Sequence, residues 1–285
     1  MSNTTIIDGK AIAAAILANV KKRIEEINWQ NKISLAVILV GSDAASHAYV
    51  RRKQEAAAQV GIGCEVFNFP ENITAPELMQ QIQEIQKREH IVGLIVQFPL
   101  PDAIWEKTRV ITSVIDPLKD VDCLSHQTLG QSLMNEGYWL PPTVGAITEI
   151  FEYYEIDITG KHICLVGRGE LIGKPLAAYL LNKPVTLTVC GRLAQPLAKY
   201  TSQADIIISG VGKPGLIGAN EIKEGAIVID AATTYVDGKV KGDCIFEAIK
   251  DKTSFITPVP GGVGPITVAK LFENVLKAAF TQKAN

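Results

Sequence analysis

Tyr49 and Lys53 stand four residues apart in the run Tyr49-Val-Arg-Arg-Lys53, a spacing that puts both on one face of a helix. A lysine stripped of part of its hydration can titrate at about 7–8, where it moves protons at neutral pH. The tyrosine beside it offers a flat apolar face and a hydroxyl. The same spacing also fits an ordinary solvated pair, and Arg51 and Arg52 point elsewhere on the helix. Gln97 closes an apolar strand just ahead of Pro99-Leu100-Pro101, where open α/β sheets hold ligands beyond their strand ends. Lys119-Asp-Val-Asp122 supplies two carboxylates before a helix start, and capping accounts for one of Asp120 and Asp122.

A second group of residues suits a nucleotide. A strand at residues 162–166 runs into Gly167-Arg168-Gly169-Glu-Leu-Ile172-Gly173-Lys-Pro175 and then a helix over residues 176–181. Glycine at the strand end makes a tight turn, and the helix N-terminus presents unpaired N–H groups to a pyrophosphate. The spacing is Gly-x-Gly-x-x-x-Gly, one residue longer than the usual form, and a ligand-free turn has the same letters. The next strand ends in Cys190-Gly191-Arg192 rather than in an acidic residue, which favours the 2′-phosphate of NADP over the ribose of NAD. A surface arginine is the plainer reading.

Residues 257–267 read Thr-Pro-Val-Pro-Gly-Gly-Val-Gly-Pro-Ile-Thr. Three prolines stiffen this run and three glycines open it, so a flat ligand can reach bare main-chain N–H groups. A rigid turn before the terminal helix pattern (Val268, Leu271, Phe272, Val275, Leu276, Ala279) fits equally well.

The elements that must position these groups alternate strand and helix. Helices are expected over residues 8–27, 43–60 and 146–154. Another opens at Thr74-Ala-Pro-Glu77, a capping box, and runs to about residue 89. Strands are expected at residues 34–40, 65–69 and 91–97, and then at 162–166, 185–190, 205–209, 226–229 and 255–256. Two successive β/α series imply two α/β domains with parallel sheets, the terminal helix packing back on the first. The boundary is set at residues 1–142, completed by 268–285, against 143–267.

At 285 residues the chain has room for two cores, and 47% hydrophobic with 20% charged residues is a globular composition. A net charge of −2 argues against a general nucleic-acid binder. Five scattered cysteines without a C-x-x-C read as reduced thiols. No apolar run approaches the roughly 20 residues of a membrane helix, and no leader pattern is seen, so a cytoplasmic location is expected.

Together, Tyr49-x-x-x-Lys53, Val96-Gln-Phe-Pro-Leu-Pro101, Lys119-Asp-Val-Asp122, Gly167-Arg168 with Gly173-x-Pro175, and the run from Pro258 to Thr267 resemble the bifunctional methylenetetrahydrofolate dehydrogenase/methenyltetrahydrofolate cyclohydrolase family. The motifs keep that family's order over nearly the whole chain. The resemblance implies a folate-binding catalytic domain, a Rossmann-like NAD(P) domain and a cleft between them. It implies oxidation of 5,10-methylenetetrahydrofolate with NADP, hydrolysis of the methenyl product to 10-formyltetrahydrofolate, and a homodimer through the cofactor domain, with neither nucleic acid nor membrane as partner and no metal.

Residue by residue, Lys53 matches the main catalytic group of the hydrolysis and Gln97 the residue that hydrogen-bonds and tunes it. Tyr49 matches the ring stacked on folate, and Asp122 the carboxylate that grips the pterin. Pro99, Leu100, Gly261, Gly262 and Pro265 are expected at the substrate. Gly167, Arg168, Gly169, Ile172, Gly173, Arg192 and Thr233 are expected at the cofactor.

The departures from that family lie mainly in the cofactor half. Gly169 replaces its usual serine, Gly191-Arg192 its His-Ser, and Asp230-Ala-Ala232 its Asp-Val-Gly. Pro141-Pro-Thr-Val144 replaces Pro-Cys-Thr-Pro, and Cys123 follows Asp122 where glycine is usual. A short-chain dehydrogenase, which also uses Tyr-x-x-x-Lys, is rejected by order, because its nucleotide turn precedes the tyrosine. A monofunctional relative and a non-catalytic folate- or nucleotide-binding regulator are the other readings.

Overall fold

The computed structural model describes residues 4–236 and 238–284. In chain order the elements are β1 (Thr5–Ile6), α1 (Gly9–Glu26), β2 (Ser34–Val40), α2 (Ala44–Val60), β3 (Gly63–Phe69), α3 (Ala75–Ile85), β4 (Ile91–Val96), α4 (Asp102–Trp105), α5 (Thr108–Thr112), α6 (His126–Leu133) and α7 (Pro142–Tyr153). There follow β5 (His162–Val166), α8 (Gly173–Leu181), β6 (Thr186–Cys190), α9 (Ala198–Thr201), β7 (Ile206–Ser209), β8 (Ala226–Asp230), β9 (Thr234–Val236), β10 (Lys239–Lys241), α10 (Phe246–Ile249), β11 (Thr253–Ile256) and α11 (Val263–Ala284). The chain divides into two compact units, one of Ala14–Pro142 with Val268 onward, the other of Thr143–Thr267 with the segment ending at Ala13.

The first unit is built on a parallel sheet of order β3-β2-β4. All seven residues of the central strand β2 are buried, as an apolar run covered on both faces requires. Ile38, Val40, Leu94 and Val96 pack with Leu78, Ile82 and Ile85 of α3. Thr74 and Glu77 close the expected capping box at the start of α3, but the helix ends at Ile85 instead of near residue 89. Beyond it the chain turns back to begin β4, the Ile91 N–H reaching the Arg88 carbonyl.

Past β4 the backbone at Lys119 and Asp120 runs beside the strand, the Leu94 N–H donating to the Lys119 carbonyl at 2.7 Å. Buried Asn274 of α11 clamps the next turn. Its amide donates to the Val121 carbonyl at 2.9 Å and to the Leu140 carbonyl at 2.8 Å.

The second unit carries a six-stranded sheet of order β1-β11-β8-β7-β5-β6, parallel throughout. Strand β1 extends this sheet, an element no periodicity announced. Leaving β1 aside, the strands lie in the order second-first-third-fourth-fifth. The connections therefore depart in opposite directions from the gap between β5 and β7, and such a switch point opens a crevice beyond the strand ends.

The terminal helix starts earlier than its apolar pattern suggests. Val263, Gly264, Pro265, Ile266 and Thr267 already belong to α11. Pro265 falls in the first turn, where a missing N–H costs no intrahelical bond. The irregular loop is thus confined to residues 257–262.

Replacing Asn274 with alanine strands one buried and one partly buried carbonyl and should lower the unfolding free energy by on the order of 2–3 kcal/mol. Urea denaturation of the variant measures it.

Candidate functional site

Helix α2 holds the first group of candidate residues. Asp43 caps its start by accepting from the Ser46 N–H at 2.7 Å, and Gly61 ends it in the left-handed conformation. Ser46, Val50, Ala57 and Val60 bury one stripe. Lys53 lies beside that stripe, half-buried, with Tyr49 one turn before it. The Arg52 guanidinium sits 5.8 Å from the centre of the Tyr49 ring, a cation–π contact.

The Lys53 ammonium donates to Gln97 Oε1 at 2.7 Å. Gln97 is buried, and its Nε2 donates to the Phe98 carbonyl at 2.8 Å. A carbonyl can only accept, so this second bond sets the amide orientation and aims Oε1 at the lysine. Burial pulls the Lys53 ammonium below its ordinary value, opposed by the Asp122 carboxylate and, less, by the Cys64 thiol. The side chain keeps some contact with solvent.

The two carboxylates of Lys119-Asp-Val-Asp122 turn out to have separate tasks. Asp120 is fully buried and spends its oxygens on structure. It accepts from the Leu124 N–H at 2.9 Å, the Ser125 N–H at 2.8 Å and the Thr128 hydroxyl at 2.6 Å, while its main-chain carbonyl takes the Trp139 indole N–H at 3.0 Å.

Asp122 is half-buried, and among the described residues its carboxylate accepts no hydrogen bond. Burial pushes it up to about 6, Lys53 holding it down and Asp120 adding to the rise. Cys123 follows in the left-handed conformation, φ 54°, where a side chain is strained. Asp122 sits within the turn closed by the Cys123 N–H on the Asp120 carbonyl at 3.2 Å, and its carboxylate takes no part in that bond. Lys53, Gln97 and Asp122 therefore share one electrostatic environment, with Tyr49 on the same helix face as the lysine.

Cys64, on β3, enters that environment unforeseen; burial pushes its thiol up to about 11, so it stays protonated. Pro99 is exposed, whereas Leu100 is buried in the core of this unit.

The second group of candidates gathers in the other unit, at the carboxyl ends of its strands. Gly167 has φ 114°, and a Cβ on Gly173 would stand 2.4 Å from the Gly167 carbonyl oxygen. Both ends of the turn thus require glycine, while Gly169 faces open space and does not. The Ile172 side chain packs against Gly210, in the loop after β7.

The end of β6 resolves the role of Gly191. A Cβ there would lie 2.5 Å from the Arg168 guanidinium, so the bare backbone is what lets Arg168 lie over it. Arg168 and exposed Arg192 are thereby brought to the same strand end. Thr233 is exposed in the segment after β8. Gly261 (φ 109°) and Gly262 turn sharply, the Gly262 N–H donating to the Pro258 carbonyl at 2.9 Å. Pro265 lies beyond them in the first turn of α11.

A glycine turn without side chains, the first N–H groups of α8 and two guanidinia fit a dinucleotide carrying an extra phosphate. Lys53, Gln97 and Asp122 fit a hydrogen-bonding, proton-exchanging ligand.

Comparison with known proteins agrees with both halves. Residues 7–122 match the model of the tetrahydrofolate dehydrogenase/cyclohydrolase catalytic domain, and residues 141–283 that of the tetrahydrofolate dehydrogenase/cyclohydrolase NAD(P)-binding domain. The chain is 45% identical over 277 residues to the bifunctional protein FolD of Nautilia profundicola, covering 96% of this chain and 97% of that one. Among solved structures, the bifunctional methylenetetrahydrofolate dehydrogenase/cyclohydrolase of Campylobacter jejuni superposes with a TM-score of 0.93 at 38% identity, covering 98% and 100% of the two chains. The enzyme of Trypanosoma brucei, solved with NADP and an inhibitor, gives 0.93 at 34% identity over 100% of both.

A raised carboxyl has a definite pH signature. Between about 4 and about 6 the folded protein keeps the Asp122 proton that the unfolded chain has lost, so this group makes stability fall as pH rises through that window. Above about 6 its contribution is flat. Thermal unfolding of Asp122→Asn against wild type should show the difference moving in the variant's favour across that window only.

Proposed function

Because the chain belongs to the tetrahydrofolate dehydrogenase/cyclohydrolase family, we propose that it oxidises 5,10-methylenetetrahydrofolate to the 5,10-methenyl cation and hydrolyses that cation to 10-formyltetrahydrofolate, serving one-carbon folate metabolism. The observation that carries this reading is the Lys53–Gln97 hydrogen bond beside the open carboxylate of Asp122. NADP, when bound, supplies the hydride acceptor. The residues proposed to hold it are Gly167, Arg168, Gly169, Ile172, Gly173, Arg192 and Thr233. Arg168 and Arg192 favour the 2′-phosphorylated form over NAD, since a guanidinium matches phosphate in charge and shape.

The dehydrogenase step asks little acid–base chemistry of the protein, because losing hydride leaves a carbon whose cation is shared with two neighbouring nitrogens. Positioning is the main requirement. Tyr49 offers its ring for stacking. The Asp122 carboxylate accepts paired N–H donors from the pterin edge, for which its free oxygens suit it. Gly261, Gly262 and Pro265, with Pro99 and Leu100, shape the surroundings of the rings.

Ring opening does need proton movement. Water attacks the methenyl carbon, and one proton must leave that water while a ring nitrogen becomes the leaving amine. An amine held below its ordinary pKa can accept the first proton and return it. The bond to Gln97 engages one N–H of Lys53, which in the neutral amine leaves the nitrogen lone pair free for this work. Gln97 thus orients the lysine.

In the division of labour proposed, residues 1–142 with 268–285 serve the folate and 143–267 the cofactor, although the strand before Ala13 is built into the cofactor sheet. A homodimer, a cytoplasmic location and the absence of nucleic-acid or membrane partners belong to the same proposal. They are supported by the family resemblance and, for nucleic acid, by the net charge of −2.

Purified protein given methylenetetrahydrofolate and NADP should form both reduced cofactor and the formyl product. Methenyl hydrolysis without reduction of NADP or NAD would leave a monofunctional cyclohydrolase. Lys53→Met should slow hydrolysis by about 10²–10⁴-fold. An unchanged rate in that variant would remove the lysine from its role.

A further inference from the structure

Two buried carboxylates in the cofactor unit are used by none of the chemistry above. Asp243, between β10 and α10, is fully buried. Its Oδ2 accepts from the Ser209 hydroxyl at 2.6 Å and the Val211 N–H at 2.8 Å, and its Oδ1 accepts from the Lys213 N–H at 2.6 Å. All three donors belong to the end of β7 and the loop that follows it. Asp230, the last residue of β8, accepts from the Ala232 N–H at 3.1 Å and the Cys244 N–H at 2.8 Å. Its own N–H donates to the Thr257 hydroxyl at 2.7 Å, at the head of the Pro-Gly loop. A Cβ on Gly242 would meet Asp230 Oδ2 at 2.2 Å, so the Gly242-Asp243-Cys244 backbone is pressed onto that carboxylate.

These bonds fasten three successive loops, those after β7, β8 and β11, at the carboxyl edge of the sheet. The first of them is one lip of the switch-point crevice. A Cβ on Gly167 would lie 2.8 Å from the Gly210 carbonyl oxygen, so the β7 loop backs directly onto the glycine turn. An exposed loop has no reason to hold one shape before its ligand arrives, and ordering it on binding would weaken affinity. Charge-assisted bonds to a desolvated carboxylate, about twice as strong as neutral ones, remove that cost beforehand.

We propose that Asp243 is a positioning residue for the nicotinamide dinucleotide, its carboxylate and that of Asp230 pre-setting the loops that receive the cofactor; the ligand class rests on the function proposed above. In Asp243→Asn one oxygen becomes an NH₂ group facing a main-chain N–H, so one lip of the crevice loosens.

Calorimetric titration with NADP reads this without turnover. The Kd for NADP should rise at least tenfold in Asp243→Asn, while methenyl hydrolysis assayed without cofactor stays within twofold of wild type. Ser209→Ala keeps both main-chain donors and should change Kd less than threefold. An unchanged Kd in folded Asp243→Asn overturns the proposal, as does loss of hydrolysis in step with loss of thermal stability. Wild type that binds NADP but reduces none would sink the proposed reaction and leave this inference to be judged by Kd.

Should Asp243→Asn fail to fold, amide exchange in cofactor-free wild type decides. Val211 and Lys213 should exchange slowly, and Gly212, whose N–H has no partner among the described residues, fast. Equal rates at all three positions would refute it.

Discussion

A lysine ammonium pressed into protein, with a glutamine oxygen 2.7 Å away and a carboxylate close by, is the constraint from which the rest of the structure takes its meaning. Removing water from an ammonium disfavours its charge, and a neighbouring carboxylate favours it. Burial wins here, since it is the largest influence on both partners: it lowers the lysine and raises the aspartate. Both shifts cost stability near neutral pH, as functional sites commonly do. The fold tolerates them because β2 and β4 form a rigid buried floor and α2 is capped at both ends.

The carboxylates follow a common physical rule with two outcomes. Asp120 and Asp243 are buried and saturated with donors, so they act as joints that order the chain around them. Asp122 is left without such donors and retains its accepting capacity for a ligand. An unpaired buried charge is expensive, which is why the exception stands beside an ammonium.

Much of this was legible in the chain itself. The bounds of β2 and β5 follow from their apolar runs, the capping box at Thr74 and Glu77 forms as read, and the i,i+4 spacing does set Tyr49 and Lys53 on one face. What resisted reading is long-range. Asp120 and Asp122 look alike in sequence, and it is the donors folded onto one of them, from Leu124, Ser125 and Thr128, that decide which carboxylate is tied down. Gly191 reads in the sequence merely as a departure from the family, and only the fold shows the Arg168 guanidinium lying over it. Asp243 is 34 residues from Ser209, and no local periodicity or cap could signal that pairing. Strand β1 has two residues and gains its place only by pairing with β11. The start of α11 was hidden because glycines and a proline read as loop, although a first turn accepts them.

The central claim is that the Lys53 amine gives up its proton more readily than an ordinary lysine. Nuclear magnetic resonance of protein carrying isotope-labelled lysine side chains, with Lys53 assigned by its disappearance in the methionine variant, measures that titration directly. The account predicts a midpoint clearly below that of the surface lysines, moving when Gln97 is replaced by alanine. A Lys53 signal that titrates together with the surface lysines, indifferent to Gln97, would contradict it.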